Sequence, residues 1–234
     1  MEQDEQDETV DKTKYLSLVM SLMFLARFTR PDILMPTTFL ATKSADPKQK
    51  DYHKLMKILA YAMATRLKHL LFSSNSDLTL QIYADAAHML HKDSKGHGGI
   101  LATLGSAPIV SKSFKLKLVT RSSTESELLV LDEAITYSLW LTSLLRELMP
   151  SHKTPVKIFQ DNKPTMALVL SGGSFNRSKH IINKYAFVKQ HLDLGDIILE
   201  YCPTEIMLAD MLTKPLEGYI LKKMIKLIWL VDPP

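Results

Sequence analysis

A single cysteine, Cys202, rules out an intrachain disulfide framework, and no Cys-x-x-Cys spacing exists to hold zinc. Eight glycines and eleven prolines in 234 residues are too few for a collagen-like or low-complexity chain. Long hydrophobic runs are missing too. The longest nearly uncharged apolar stretch, residues 15–26, is too short to span a bilayer and reads as a buried helix. The first residues are acidic and polar, which argues against a signal peptide. The expectation is an intracellular protein, cytoplasmic or nuclear rather than secreted, with no membrane partner. What the chain does have is apolar material. Hydrophobic residues make up 46% and the mean hydropathy is −0.02, enough for one or two globular domains with a packed core.

The net charge of +4 hides an asymmetry. Glu2, Asp4, Glu5, Asp7, Glu8 and Asp11 carry the charge of residues 1–11, where no Lys or Arg occurs. Taking those six from the 25 acids leaves 19 against 29 basic residues, a balance of +10 over the remaining body. A basic body suggests a polyanionic partner, although many basic domains bind none.

Residues 1–13 read as an acidic, disordered leader without periodicity. Residues 15–28 are apolar almost all round, which predicts a buried helix. In Thr29-Arg30-Pro31-Asp32, Thr29 is placed to cap a fresh helix with Pro31 in its first turn, and Asp46-Pro47 repeats that signal. Tyr52, Leu55, Leu59 and Ala62 then form one stripe at three- and four-residue steps. Residues 14–74 are therefore expected to be a small helical segment, ending at the polar break Ser73-Ser74-Asn75-Ser76-Asp77.

Past the break the pattern changes. Leu78, Leu80 and Ile82 alternate with Thr79, Gln81 and Tyr83, as in a strand. Runs at 98–104 and 108–113 around Gly105-Ser106 predict a hairpin. Ser122 and Glu125 predict a capping box that opens a long helix to residue 148. Strands follow at 156–159 and 197–201. Helices are expected at 163–170 and 179–192, around a Gly172-Gly173 loop, and a short one from Pro203-Thr204 through residue 211. Over 78–216 this order predicts a mixed α/β sheet with helices packed on it, followed by a helical tail at 217–234.

Four carboxylates fall in suggestive places. Asp85 and Asp161 each follow a predicted strand. If those strands are parallel neighbours, both acids meet at the carboxyl edge of the sheet, where α/β sites form. Asp after a strand also simply makes turns. Glu127 shares a helix stripe with Leu131, Ala134 and Ser138, the side that should face the sheet. A carboxylate there is costly unless it is paired, protonated or cation-bound, or else it remains solvated in a first turn favoured by the helix dipole. Asp210 interrupts an otherwise apolar short helix. Four acids without a Cys or His cluster suit a hard cation such as Mg²⁺.

The ordered set of motifs is Tyr83-Ala84-Asp85, Ser122-Ser123-Thr124-Glu125-Ser126-Glu127-Leu128, Gln160-Asp161-Asn162, Lys179-His180-Ile181, Glu200-Tyr201-Cys202-Pro203-Thr204 and Ala209-Asp210-Met211-Leu212-Thr213-Lys214-Pro215-Leu216. It closely resembles the C-terminal ribonuclease H region of Ty1/copia-type retrotransposon polyproteins. The resemblance extends upstream through Thr29-Arg30-Pro31-Asp32-Ile33 into a polymerase-connection-like segment, and covers about residues 14–230.

That resemblance implies a ribonuclease H fold with a five-stranded mixed sheet and a long first helix. It implies Mg²⁺-dependent endonucleolytic cleavage of the RNA strand of RNA–DNA hybrids. Asp85, Glu127, Asp161 and Asp210 match the family's catalytic acids and would hold two Mg²⁺ ions, for which Mn²⁺ can substitute. Ser123, Thr124 and Asn162 become candidate substrate-binding residues by position, with capping and turn polarity as the competing account. His180 lies in a matched motif, yet a helix histidine is more often structural. Lys112, Lys115, Lys117 and Arg121 are candidates for phosphate contact or a plain solvated face. Cys202 reads as a small buried residue.

Two departures from the family stand out: Ala87, where a second Asp is common, and Ile182, where Asp or Asn is common. Both leave the acids intact and bear on substrate contacts or helix packing. The Tyr-x-Asp-Asp polymerase motif is also missing. The chain is thus expected to be the C-terminal portion of a polyprotein, or a truncated copy, with hybrid nucleic acid and an upstream polymerase portion as partners. Two rivals stand beside this: a catalytically inert remnant serving as scaffold or nucleic-acid-binding module, and an integrase-like nuclease, which the Ser-Ser-Thr-Glu-x-Glu and Asp-Asn motifs disfavour.

Overall fold

The computed structural model describes residues 8, 10–72, 78–150, 155–171, 179–228 and 230–231. The boundary expected at 73–77, the Gly172-Gly173 loop and most of the acidic leader lie outside them.

Helix α1 (Lys12–Phe28) starts where the Asp11 carboxylate accepts the N–H of Thr13 at 2.9 Å. The all-round burial expected of it does not form. Tyr15, Val19, Leu22 and Ala26 face inward, while Leu16, Met20, Phe24 and Phe28 are exposed. Only one side of α1 has a layer to pack against, so only one stripe is covered.

Thr29 closes α1 instead of opening the next helix, since its N–H and its hydroxyl both return to the Leu25 carbonyl. Pro31–Ile33 is a single 3-10 turn leading into α2 (Leu34–Ala41). The reason is a buried ion pair. The Arg30 guanidinium donates to both Asp32 oxygens at 2.9 and 2.8 Å, and also to Thr65. Asp32 in turn accepts the Tyr61 hydroxyl at 2.9 Å, which ties this corner to α3 (Gln49–Ala64). That helix starts two residues later than Asp46-Pro47 suggested, where the Asp51 carboxylate accepts the Lys48 N–H at 3.2 Å.

A two-residue strand β1 (His69–Leu70) precedes the main sheet. The sheet consists of β2 (Leu80–Ala87), β3 (His97–Leu104), β4 (Ala107–Lys115), β5 (Val156–Gln160) and β6 (Ile197–Tyr201). Their spatial order is β4-β3-β2-β5-β6. The first three strands are antiparallel neighbours, with the expected hairpin turning at Gly105 (φ +62). β5 and β6 join in parallel. Helix α4 (Ser123–Leu148) lies across one face, with α5 (Lys163–Ser171) and α6 (Lys179–Asp193) beside it.

Strand alternation divides the core. Ile82, Ala84, Ile100 and Ala102 pack with Leu128, Leu131 and Ile135 of α4. Leu101 points the other way, into a cluster with Tyr15, Val19 and Leu55 of the helical segment. Gly98 lets α4 sit close, because a Cβ there would lie 2.7 Å from Val130 Cγ2. By length and apolarity α4 could cross a membrane, but its buried half is covered by the sheet and it carries Glu127.

The single helix expected from Pro203 to residue 211 is two 3-10 turns, Thr204–Ile206 and Leu208–Leu212. Met207 between them is extended and fully buried beside Cys202 and Ala209, which interrupts the helical path. Among its described residues the tail is helical only over α7 (Gly218–Leu227). Beyond it β7 (Leu230–Val231) pairs antiparallel with β1. Met224, Ile225, Ile228 and Leu230 join the cluster of α1 and α3. The helical segment and the tail thus share this second cluster with the other face of the sheet.

Candidate active site

Parallel pairing brings the first two acids level. Tyr83 of β2 stands opposite Phe159 of β5, with their rings stacked 4.8 Å apart. Asp85 and Asp161, each two residues further along, emerge together at the carboxyl ends of the two strands. Asp85 lies within β2 and not beyond it, its backbone paired with Gly99. The strand runs further than the alternation of residues 78–83 alone indicated, because Ala84 and Ala86 continue the buried face.

Glu127 comes from the start of α4. The Ser122 side chain accepts the Glu125 N–H at 3.2 Å, and the Glu125 carboxylate accepts the Arg121 N–H at 2.8 Å. Glu125 therefore serves the helix end, and Glu127 turns inward on the stripe with Leu131, Ala134 and Ser138, all buried. One carboxylate oxygen each of Asp85, Glu127 and Asp161 lies within 4.8 Å of the others. Asp85 and Glu127 are buried and Asp161 is half-buried.

Asp210 stands outside that trio, buried in the Leu208–Leu212 turn. Burial first, and Asp85 second, push its carboxyl up to about 7. The Lys214 Nζ sits 2.9 Å from its Oδ1. Thr213 donates its hydroxyl to Asp85 Oδ2, so this turn touches both acids. Gly99 makes the close approach possible: a Cβ there would lie 2.7 Å from Thr213 Cγ2 and 2.9 Å from the Ala209 carbonyl oxygen.

The electrostatics agree with the crowding. Burial, and then Asp85, raise the Glu127 carboxyl well above its ordinary value, although Gln160 Nε2 donates to it at 2.7 Å. Asp161 is raised by burial and then by Asp85, against the Thr204 hydroxyl at 3.0 Å and the charge of Lys214. Burial opposes the charge on Lys214, but Asp85, Asp210 and Asp161 override it and raise its pKa. Negative charge is in excess here, and the donors are all oxygens. A divalent cation would relieve the repulsion, so the donor set fits a hard divalent metal.

The other candidates are less central. Asn162 Oδ1 accepts the N–H and the hydroxyl of Thr165 at 2.9 and 3.0 Å, so Asn162 caps α5. Ser123 is exposed in the first turn of α4, and the Thr124 carbonyl accepts from Thr165 Oγ1. His180 is exposed at the start of α6. Lys112 pairs with Glu133 and Lys115 with Asp93, while Lys117 and Arg121 are exposed. Cys202 is buried as expected.

Gln160, Thr204, Thr213 and Lys214 were not singled out by sequence reasoning. Gln160 did leave a signal: it is a polar residue on the inward face that Val156 and Ile158 mark out in β5. Thr213 and Lys214 fall three and four residues after Asp210, a spacing that returns to the same side of a helical turn.

No protein-family model matches the chain. It is 34% identical over 207 residues to the retrovirus-related Pol polyprotein from transposon RE1 of Arabidopsis thaliana, covering 88% of this chain and 14% of that protein. The Pol polyprotein from transposon RE2 of the same plant is 31% identical over 225 residues, or 96% of this chain and 15% of that one. The chain thus spans about a seventh of the length of these relatives. Among solved structures, the foamy viral protease-reverse transcriptase dRH in complex with double-stranded DNA superposes with a TM-score of 0.52 at 14% identity. It covers 86% of this chain and 34% of that one, a likeness of fold alone. Over most of its length, then, the chain's homologues are Pol polyproteins of Ty1/copia-type retrotransposons, and its five-stranded mixed sheet with flanking helices has a ribonuclease H-like fold.

Proposed function

We propose that this chain is a ribonuclease H that cleaves the RNA strand of RNA–DNA hybrids endonucleolytically. The observation that carries the reading is the convergence of Asp85, Glu127 and Asp161 within 4.8 Å at the strand ends of a ribonuclease H-like sheet. These three would hold one divalent ion, and Asp85 with Asp210 would hold a second. Oxygen-only donors suit Mg²⁺, and Mn²⁺ can substitute. Bound there, the ions supply activation of a water and stabilisation of the leaving 3′ oxygen.

The protein's own groups shape that site. Gln160 fixes Glu127, Thr204 fixes Asp161 and Thr213 fixes Asp85. Glu127 lies one turn from Ser123 and Thr124, and this edge is where a 2′-hydroxyl would be met and RNA told from DNA. Lys117 and Arg121, exposed near the start of α4, contact hybrid phosphates. No polymerase chemistry is proposed for this chain, and the polymerase portion of a longer polyprotein is its proposed protein partner.

The test incubates the purified full chain with labelled RNA–DNA hybrid, duplex DNA and duplex RNA, with Mg²⁺ or EDTA. Mg²⁺-dependent cutting confined to the hybrid is expected. Asp85→Asn keeps shape but removes ligand charge, and should lower cleavage by several orders of magnitude while hybrid binding survives. Glu125→Gln should retain most activity, since its role is in the helix end. Binding of hybrid without cleavage by the wild type would instead establish the inert, hybrid-binding alternative.

A further inference from the structure

We infer that Lys214 is a resident counter-cation of the acid cluster, holding the Asp210 side against a second divalent ion and so setting the metal concentration at which that side fills. The inference rests on the reading of the four acids as a metal site.

The four acids are not equivalent. Asp85, Glu127 and Asp161 share a centre within 4.8 Å, and among the described residues no other His, Cys or acid joins that group. Asp210 is separate, and the oxygen it presents is already held by a cation, the Lys214 Nζ at 2.9 Å. The ammonium reaches solvent: its side chain is 40% exposed, against 5% for Asp210, so a lysine's long flexible stem has room to swing outward where the acid has none.

Its root is fixed. The Lys214 N–H returns to the Asp210 carbonyl at 3.3 Å. The preceding Thr213 is anchored to Asp85 and seated in the notch left by Gly99. A flexible positive charge on a rigid base, beside the one acid outside the trio, gives the site two unequal halves. The trio fills first. The Asp210 half fills only when the ammonium is displaced, because a unit positive charge and a divalent ion a few ångströms apart repel strongly even in water.

Lys214→Met keeps the length and apolar stem of the side chain without the charge, and Lys214→Arg keeps the charge. Mn²⁺ binding to the full chain, free of nucleic acid, is measured by calorimetry for the wild type and both variants, with circular dichroism confirming the fold. The wild type should bind one ion more tightly than a second. In Lys214→Met the weaker event should tighten about tenfold or more, while the tighter one stays within about threefold. Lys214→Arg should behave like the wild type. If Lys214→Met does not fold, Lys214→Gln takes its place.

The Mg²⁺ concentration for half-maximal hybrid cleavage should fall in parallel. Two Mn²⁺ affinities that do not move in Lys214→Met, or that move equally in Lys214→Arg, would overturn the role of Lys214 and leave the metal site standing. Absence of Mn²⁺ binding in every form would overturn the metal reading itself.

Discussion

Replacing Asp32 with alanine should be among the most destabilising single changes in this chain. The Asp32 side chain has no exposure and that of Arg30 has 3%. Asp32→Ala removes the partner of two guanidinium bonds and the acceptor of the Tyr61 hydroxyl, leaving the buried charge the carbonyl and hydroxyl of Thr65 and the Tyr61 ring, which carry no negative charge. Breaking a buried pair on one side costs about 3–5 kcal/mol, because the surviving charge stays desolvated. For a domain of this size each kcal/mol shifts Tm by about 2–4 °C, so a fall of about 6–20 °C is expected.

Urea unfolding followed by circular dichroism reads the loss directly. The triple variant Arg30→Met, Asp32→Leu, Tyr61→Phe removes the polar groups together and should recover most of the stability, since well-packed apolar replacements of buried pairs are often neutral. A cost below about 1 kcal/mol for Asp32→Ala, or a triple variant less stable than the single one, would refute the reasoning.

Burial, and then His91, hold the buried His97 imidazole down to about 3. The unfolded chain gains a proton below about pH 6.5 that the folded one refuses, so this group's contribution to stability falls as pH drops. Asp210, raised to about 7, works in the opposite direction over the same range and cancels when variants are compared. His97→Gln should therefore lessen the loss between pH 6.5 and 5 by about 1.4 kcal/mol per pH unit, read from urea midpoints. An unchanged slope would remove His97 from the acid response. Gly99→Ala should cost about 1–3 kcal/mol and abolish cleavage, because its Cβ meets the turn that carries Asp210 and Thr213. Wild-type activity in that variant would show that the turn can shift freely. A specific protease site placed within 73–77 should yield two pieces that co-elute on gel filtration, since Tyr15, Leu55, Leu101 and Met224 share one core. Separate elution would make the helical segment an independent domain.

The sheet was legible in the sequence because period-two alternation and turn glycines are local signals. The strand order was not readable, because pairing partners lie far apart in sequence, and the parallel β2–β5 pair entered only as the condition on which Asp85 and Asp161 would meet. Glu127 could be singled out since its stripe partners Leu131, Ala134 and Ser138 are apolar or small. Thr29 and Arg30 misled for a physical reason: capping chemistry and a buried ion pair use the same residue types, and Tyr61 and Thr65, which decide between them, lie some thirty residues away. The polar supports Thr204 and Thr213 were hidden likewise, because what marks them is contact with Asp161 and Asp85 far away in sequence, whereas Lys214 pairs with Asp210 only four residues before it. The exposed stripe of α1 was invisible for the opposite reason. Sequence records that Leu16, Met20, Phe24 and Phe28 are apolar, and not which side has a neighbour.

The pairing of His69 and Leu70 with Val231 and Leu230 has a consequence for how the chain is made. These contacts join positions far apart in sequence, and loop-closure entropy makes such contacts form late. As the polypeptide emerges from the ribosome, α1 and α3 appear with an apolar face well before α7 and β7, which complete their cluster. Those two helices must therefore wait, partly uncovered, until residues 218–231 have emerged. A message broken between residues 201 and 218 would leave a product whose sheet can form but whose helices stay sticky, a natural target for chaperones and proteases.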